Sequence, residues 1–187
     1  MRKMLTGLAF ALCASGLAPA PIVGTGVALA QSESSGSIYE GLKQALLTET
    51  QIKQYLAAQK DMEAVFADAP PDAADNPDPK TMARLEAAAK KYNFASYDDF
   101  NSVAGNIALV LDGIDPKTKK YVGAEAVLKQ TIAEVKADTK MKPADKKEEL
   151  AELNSELKGV VPLQFQANVD LVLQHYDELA AVEPENK

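Results

Sequence analysis

The side chains of this sequence that could do chemistry are few. Its one histidine, His175, stands beside Tyr176 and Asp177, and an imidazole next to a carboxylate can serve as a general base. A base needs a nucleophile to activate. The one cysteine, Cys13, falls in an apolar N-terminal run, and no serine sits in an elbow motif. One histidine cannot build a histidine-rich zinc or copper site. Adjacent acids occur at Asp98-Asp99, Glu148-Glu149 and Asp177-Glu178. On a helix such neighbours point about 100° apart, so they do not converge on one bond. A glycosidase-like acid pair would also need a sugar cleft lined by aromatics, and there is no Trp. These residue types assign no catalytic, cofactor-binding or metal-binding residue, and the expectation is a protein that is not an enzyme and carries no cofactor.

One acidic stretch invites a cation reading. Asp68, Asp72, Asp75 and Asp78 lie in a loop over 68–79 that is broken by four prolines. A helix–loop–helix calcium site needs oxygen ligands at alternate positions, a glycine sixth and a glutamate twelfth. Counting from Asp72 places Ala74 third and Pro77 sixth, while counting from Asp75 places prolines at liganding positions. Asp112-Gly113-Ile114-Asp115 fails in the same way, because Lys117 and Lys119 follow where acids belong. Weak cation or small-ligand binding through this loop or an interhelical pocket stays as an alternative to a flexible, solubilising linker. No glycine loop with a following Lys and Ser or Thr exists for nucleotide phosphates.

The elements that would position these residues read as helices, since no alternating run of β-branched residues appears. Leu47-Thr48-Glu49-Thr50-Gln51 is a capping box opening a first helix, with Ile52, Tyr55, Leu56, Met62 and Phe66 near one stripe. Asp78-Pro79 opens a second, whose apolar face is Met82, Leu85, Ala89 and Tyr92. Ser96 caps a third, and Phe100, Val103, Ile107, Val110, Leu111 and Ile114 recur at three-and-four spacing, which predicts the central core helix. After a turn at Asp115-Pro116-Lys117, a fourth helix over about 123–139 presents Val127, Leu128, Ile132 and Val135. Pro143 opens a fifth, with a seam of Leu150, Leu153 and Leu157. Its glutamates 148, 149, 152 and 156 alternate with Lys146, Lys147 and Lys158, the pattern of a solvated face with ion pairs four residues apart. A sixth begins at Pro162 and buries Phe165, Val169, Val172, Tyr176 and Leu179. The expected fold is all-α, a single bundle of five or six helices over 47–182, although helices four to six could instead form a coiled arm.

The start of the chain reads as an export signal. Arg2 and Lys3 precede an apolar run from Leu5 to Ala14, and Ala28-Leu29-Ala30 offers small residues where a signal peptidase reads. Residues 1–30 are therefore expected to be a cleaved signal peptide. Residues 31–46 are expected to be a flexible mature N-terminus, and 183–187 a disordered tail. A lipoprotein signal at Cys13 is the rival, but Leu12 precedes it where a small residue is wanted. Cleavage removes Arg2, Lys3 and Cys13, which takes the formal charge from −7 to −9 and leaves no cysteine. That excludes thiol and disulfide chemistry, and such acidity argues against nucleic acid and against an anionic membrane surface. No second hydrophobic span follows.

Leu47 to Gln51 resembles the LTxxQ motif of the Spy and CpxP family of periplasmic helical proteins. The resemblance implies an ATP-independent chaperone or envelope-stress role and a dimeric helical cradle. Family members carry the motif twice, and Met141-Lys142-Pro143-Ala144-Asp145 is at best a degraded second copy. More broadly, Tyr92 to Pro116 after an LTxxQ-opened helix is similar to exported helical proteins of proteobacteria, which implies no activity. The expected role is non-catalytic binding in the periplasm or outside the cell, with another envelope protein as partner. A structural or assembly accessory working by helix–helix association is the alternative. A chaperone should expose a contiguous apolar face, a carrier should enclose a pocket, and an assembly module should expose the leucine seam.

Overall fold

Each of the first three helices begins at the residue whose side chain can replace a missing helical partner. The computed structural model describes residues 39, 41–70, 73 and 76–182. In it α1 (Glu49–Ala67) opens on Thr48 and Gln51, whose side chains each meet the other residue's backbone N–H. The Asp78 carboxylate accepts from the Thr81 N–H at 2.7 Å to start α2 (Pro79–Lys91), and Ser96 caps α3 (Tyr97–Leu111) through the Asp99 N–H. The expected signal peptide at 1–30 and tail at 183–187 lie outside the described residues.

The chain is mostly helical, as the pattern predicts, but it divides differently from one bundle of five or six. Seven helices are present among the described residues, with a short antiparallel pair, β1 (Ile114–Asp115) and β2 (Lys120–Tyr121). Ile114 continues the spacing of α3 yet belongs to β1, because α3 ends at Leu111 and the chain reverses. Gly113 permits the reversal: a side chain there would run into the Tyr121 ring. α4 (Ala124–Ala137) and α5 (Pro143–Lys158) follow. The expected sixth helix is split at His175 into α6 (Ala167–Gln174) and α7 (Tyr176–Val182).

α1, α2, α3, α6 and α7 share one core, in which Ile52, Leu85, Ile107, Val110, Val172 and Leu179 are fully shielded. Phe100 organises its aromatic part, stacking on Tyr55 with ring centres 5.4 Å apart and meeting Phe94 edge-on at 5.3 Å. α4 and α5 form a separate hairpin arm with a small core of Ile132, Val135 and Leu153, walled by Leu128, Met141, Leu150 and Leu157. The arm's main contact with the body is that of α4 with β1.

Of the expected flexible lead-in over 31–46, residues 31–38 and 40 lie outside the described residues, and the part just before α1 is held by the body. Residues 43–47 run extended between α3 and α6, and two buried asparagines hold their backbone. Asn106 accepts from the Ala45 N–H at 2.9 Å and donates to the Lys43 carbonyl at 3.3 Å. Asn168 accepts from the Leu47 N–H at 2.9 Å and donates to the Ala45 carbonyl at 2.8 Å. Gln44, also buried, adds contacts to the Pro162 carbonyl and the Gln164 N–H.

Replacing Asn168 by Ala leaves two buried backbone groups without partners. It is expected to cost about 2–3 kcal/mol in urea unfolding, against about 1 kcal/mol for Thr48→Ala, which removes only an exposed cap. Leu153→Ala is expected to speed amide exchange in α4 and α5 while α3 keeps its protection. Equal loss in both would show that arm and body open as one unit.

Candidate functional site

The sole histidine lies at the break between α6 and α7, and the backbone decides what it meets. α6 closes with the His175 N–H on the Val172 carbonyl at 3.1 Å, and the His175 carbonyl then accepts from Leu179 in α7. The imidazole turns to Glu178, with Nδ1 3.1 Å from Oε2, rather than to Asp177. Residues 175 and 178 share a helical face, whereas 175 and 177 do not. Asp177 is instead bonded to Lys119 Nζ at 2.6 Å. Lys119 comes from the β1–β2 turn, where it holds a left-handed backbone at φ 54°.

These residues line an open groove of about 360 Å³, with Leu173, Gln174 and Tyr176. Lys119 Nζ also stands 5.7 Å from the centre of the Tyr176 ring. Its bond to Asp177 holds the Lys119 ammonium above the usual lysine range. Lys53 holds Glu49 below the usual glutamate range, and His175 adds a smaller pull on the same carboxyl. The groove thus brings together His175, Tyr176 and Asp177 as neighbours, but its polar side chains are already matched in pairs, Lys119 with Asp177 and His175 with Glu178. Both pairs are ordinary surface pairs in which one partner is well exposed, so they contribute little to stability. Lys119 carried no sequence signal, because its place depends on the hairpin.

A second open groove of about 370 Å³ runs between α1 and α2, floored by Ala64, Val65, Ala87 and Ala88. Lys91 bonds Asp61 at 2.6 Å and Arg84 bonds Asp68 at 3.0 Å along its rim. The acidic loop thereby has two of its aspartates already engaged, Asp68 with Arg84 and Asp78 in the α2 cap; Asp72 and Asp75 lie outside the described residues. No group of three or more His, Cys, Asp or Glu that could hold a metal occurs among the described residues.

The leucine seam of α5 is used within the chain. Leu153 is buried and Leu150 and Leu157 pack beside it in the arm's own core. The ion pairs expected along α5 are replaced by like charges. Glu148, Glu152 and Glu156 follow one another at four-residue steps, and no charge of α5 forms an ion pair among the described residues. Partial burial, with Asp112 and Glu152 nearby, pushes the Glu156 carboxyl above the usual range. Large apolar side chains are exposed at only two described positions, Leu46 and Val122. No helix among the described residues is long and apolar enough to cross a membrane.

No protein-family model matches this chain, and neither a curated protein nor a solved structure does.

The turn that delivers Lys119 depends on Asp115. Its carboxylate accepts from the Lys117 N–H at 2.8 Å and the Thr118 hydroxyl at 3.0 Å, and the first of these does most to hold it below its ordinary 3.8. Because the folded-state value is depressed, this carboxylate stabilises the fold above the unfolded value and the contribution fades as pH falls below about 3.8. Asp115→Asn is expected to lower stability near neutral pH and to flatten the loss on acidification, read as urea midpoints across that range. An unchanged acid slope would show that Asp115 is not its source.

Proposed function

We propose that this chain is an exported helical protein of the bacterial cell envelope that works by non-catalytic binding to another envelope protein. The observation that supports it is the α4–α5 arm. It keeps a core of its own and meets the body chiefly at β1, so the body's core is built without it. A two-helix arm that the main core does not need presents two long polar faces to a partner. Export rests on the residue pattern of 1–30, with its basic start, apolar run and Ala28-Leu29-Ala30.

Other binding roles have less support. A general holdase, as the LTxxQ resemblance implies, needs a broad apolar face, and Leu46 and Val122 are single exposed residues on separate segments. A carrier encloses most of its ligand, whereas both grooves open to solvent. Assembly through the α5 leucines would have to open the arm's own core.

Photocrosslinkers placed at Ala126, Ala133 and Ala151, all exposed on the arm, are expected to trap a discrete protein in the envelope. The same groups at Ala57 and Ala83, exposed on the body, are expected to trap none. Equal trapping from both sets, or none from the arm, would sink the proposal. Suppression of client aggregation by the chain at stoichiometric ratio would favour the chaperone reading instead.

A further inference from the structure

The far end of the arm gathers positive charge in a chain that is acidic overall. Lys136 ends α4, Lys140 and Lys142 lie in the turn, and Lys146 and Lys147 sit in the first turns of α5. Only Asp138 and Asp145 are acidic within this stretch. The Asp138 carboxylate is taken up by the turn itself, accepting from the Lys140 N–H at 2.6 Å and the Met141 N–H at 3.3 Å. Lys146 is also occupied, since its ammonium donates to the Lys136 and Asp138 carbonyls and closes the end of α4. Lys136, Lys140, Lys142 and Lys147 are left exposed, and none has an ion pair among the described residues. Elsewhere Lys53, Lys90, Lys91, Lys117, Lys119 and Lys129 each face a carboxylate, and the other exposed lysines without an ion pair, Lys43, Lys60, Lys80, Lys120 and Lys158, are spread along the chain instead of gathered in one turn.

The body reaches α4 beside this tip through an ion pair, Lys117 of the β1–β2 turn with Glu134, which offsets the nearest acid of α4. α4 has 14 residues, so the tip stands about 20 Å from the arm's base, while charges in physiological salt are screened within about 8 Å. The acids of α5 nearest Lys147, namely Asp145, Glu148, Glu149 and Glu152, all lie about 100° or more around the helix from it. The tip therefore meets its surroundings as a local cation.

The chemistry of the tip selects its partner. Protein interfaces are anchored by Trp, Tyr or Arg in pockets, and 136–147 contains none of these. Its one large apolar residue, Met141, is turned into the arm's core. Lysines are point charges without the fork that reads one carboxylate or phosphate, and they suit a diffuse layer of anionic headgroups. We infer that the tip of the α4–α5 arm, through Lys136, Lys140, Lys142 and Lys147, docks reversibly on anionic phospholipid surfaces. This goes beyond the partner-binding proposal and does not depend on it: the arm's flanks stay free for a protein while its tip rests on the membrane.

The test uses the chain from Gln31, because an attached apolar leader would itself adhere to vesicles; this form keeps every described residue. It is expected to sediment with vesicles of phosphatidylglycerol and phosphatidylcholine, to release as salt rises, and to ignore pure phosphatidylcholine. Each lysine at an anionic surface strengthens association about fivefold, so changing all four to Gln is expected to weaken binding by about two to three orders of magnitude. Changing Lys43, Lys60, Lys80 and Lys120 to Gln, exposed and away from the tip, is expected to leave binding nearly intact. Circular dichroism checks that both variants fold. No binding to the mixed vesicles, or equal loss in both quadruple variants, would overturn the inference. Failure on vesicles, with a crosslinked acidic protein lost only in the tip variant, would overturn it in favour of a protein partner.

Discussion

The body of this protein depends on two buried side-chain amides that treat a piece of its own chain as a strand. Asn106 on α3 and Asn168 on α6 each pair with one N–H and one carbonyl along the same edge of residues 43–47. In a sheet those groups would be met by a neighbouring backbone; here a short amide does the same from a helix. Buried amides are costly when any partner is missing and specific when all are present. Asn106 spends its remaining donor on the Ser102 carbonyl of its own helix, and no buried side-chain polar atom is left unpaired among the described residues. Because Leu47 bonds to Asn168 and the next residue caps α1, the same contact fixes where α1 starts relative to α6.

That arrangement closes the body without the arm. α3 leads into the β1–β2 hairpin, the chain makes its excursion through α4 and α5, and it returns past Pro162 and Gln164, where Gln44 receives it. The two parts then differ in how much holds them. The body has stacked aromatics and fully shielded aliphatic residues, whereas three buried aliphatics hold the arm. A small core makes the arm the part most ready to open or adapt, as binding elements commonly are.

The local signals in the sequence were the reliable ones. Thr48 with Gln51, Asp78 before Pro79, and Ser96 all cap where their residue types require, because a cap is decided within four residues. The hairpin was hidden, since its strands have two residues each and Ile114 prolongs the period of α3. Asn106 and Asn168 looked like neutral polar positions; their burial comes from residues about 60 and 120 places away. Within the groove, His175 and Asp177 are two residues apart, a spacing that a helix turns into divergence, and the imidazole goes to Glu178 three residues on.

Charge was the property least readable from composition. A net −7 argues for repulsion from any anionic surface, and it does so correctly for a sphere with even charge. This chain is not even. α5 carries Lys146 and Lys147 beside the lysines of the turn, while Asp145 in its first turn and Lys158 in its last follow its helix dipole. Glu148, Glu152 and Glu156 also repel one another at four-residue steps. That row of like charges does not help the arm to fold. The row of glutamates on α5 and the lysines at the arm's tip call for opposite complements. An anionic surface at the tip and a cationic partner along the acidic flank would satisfy both at once.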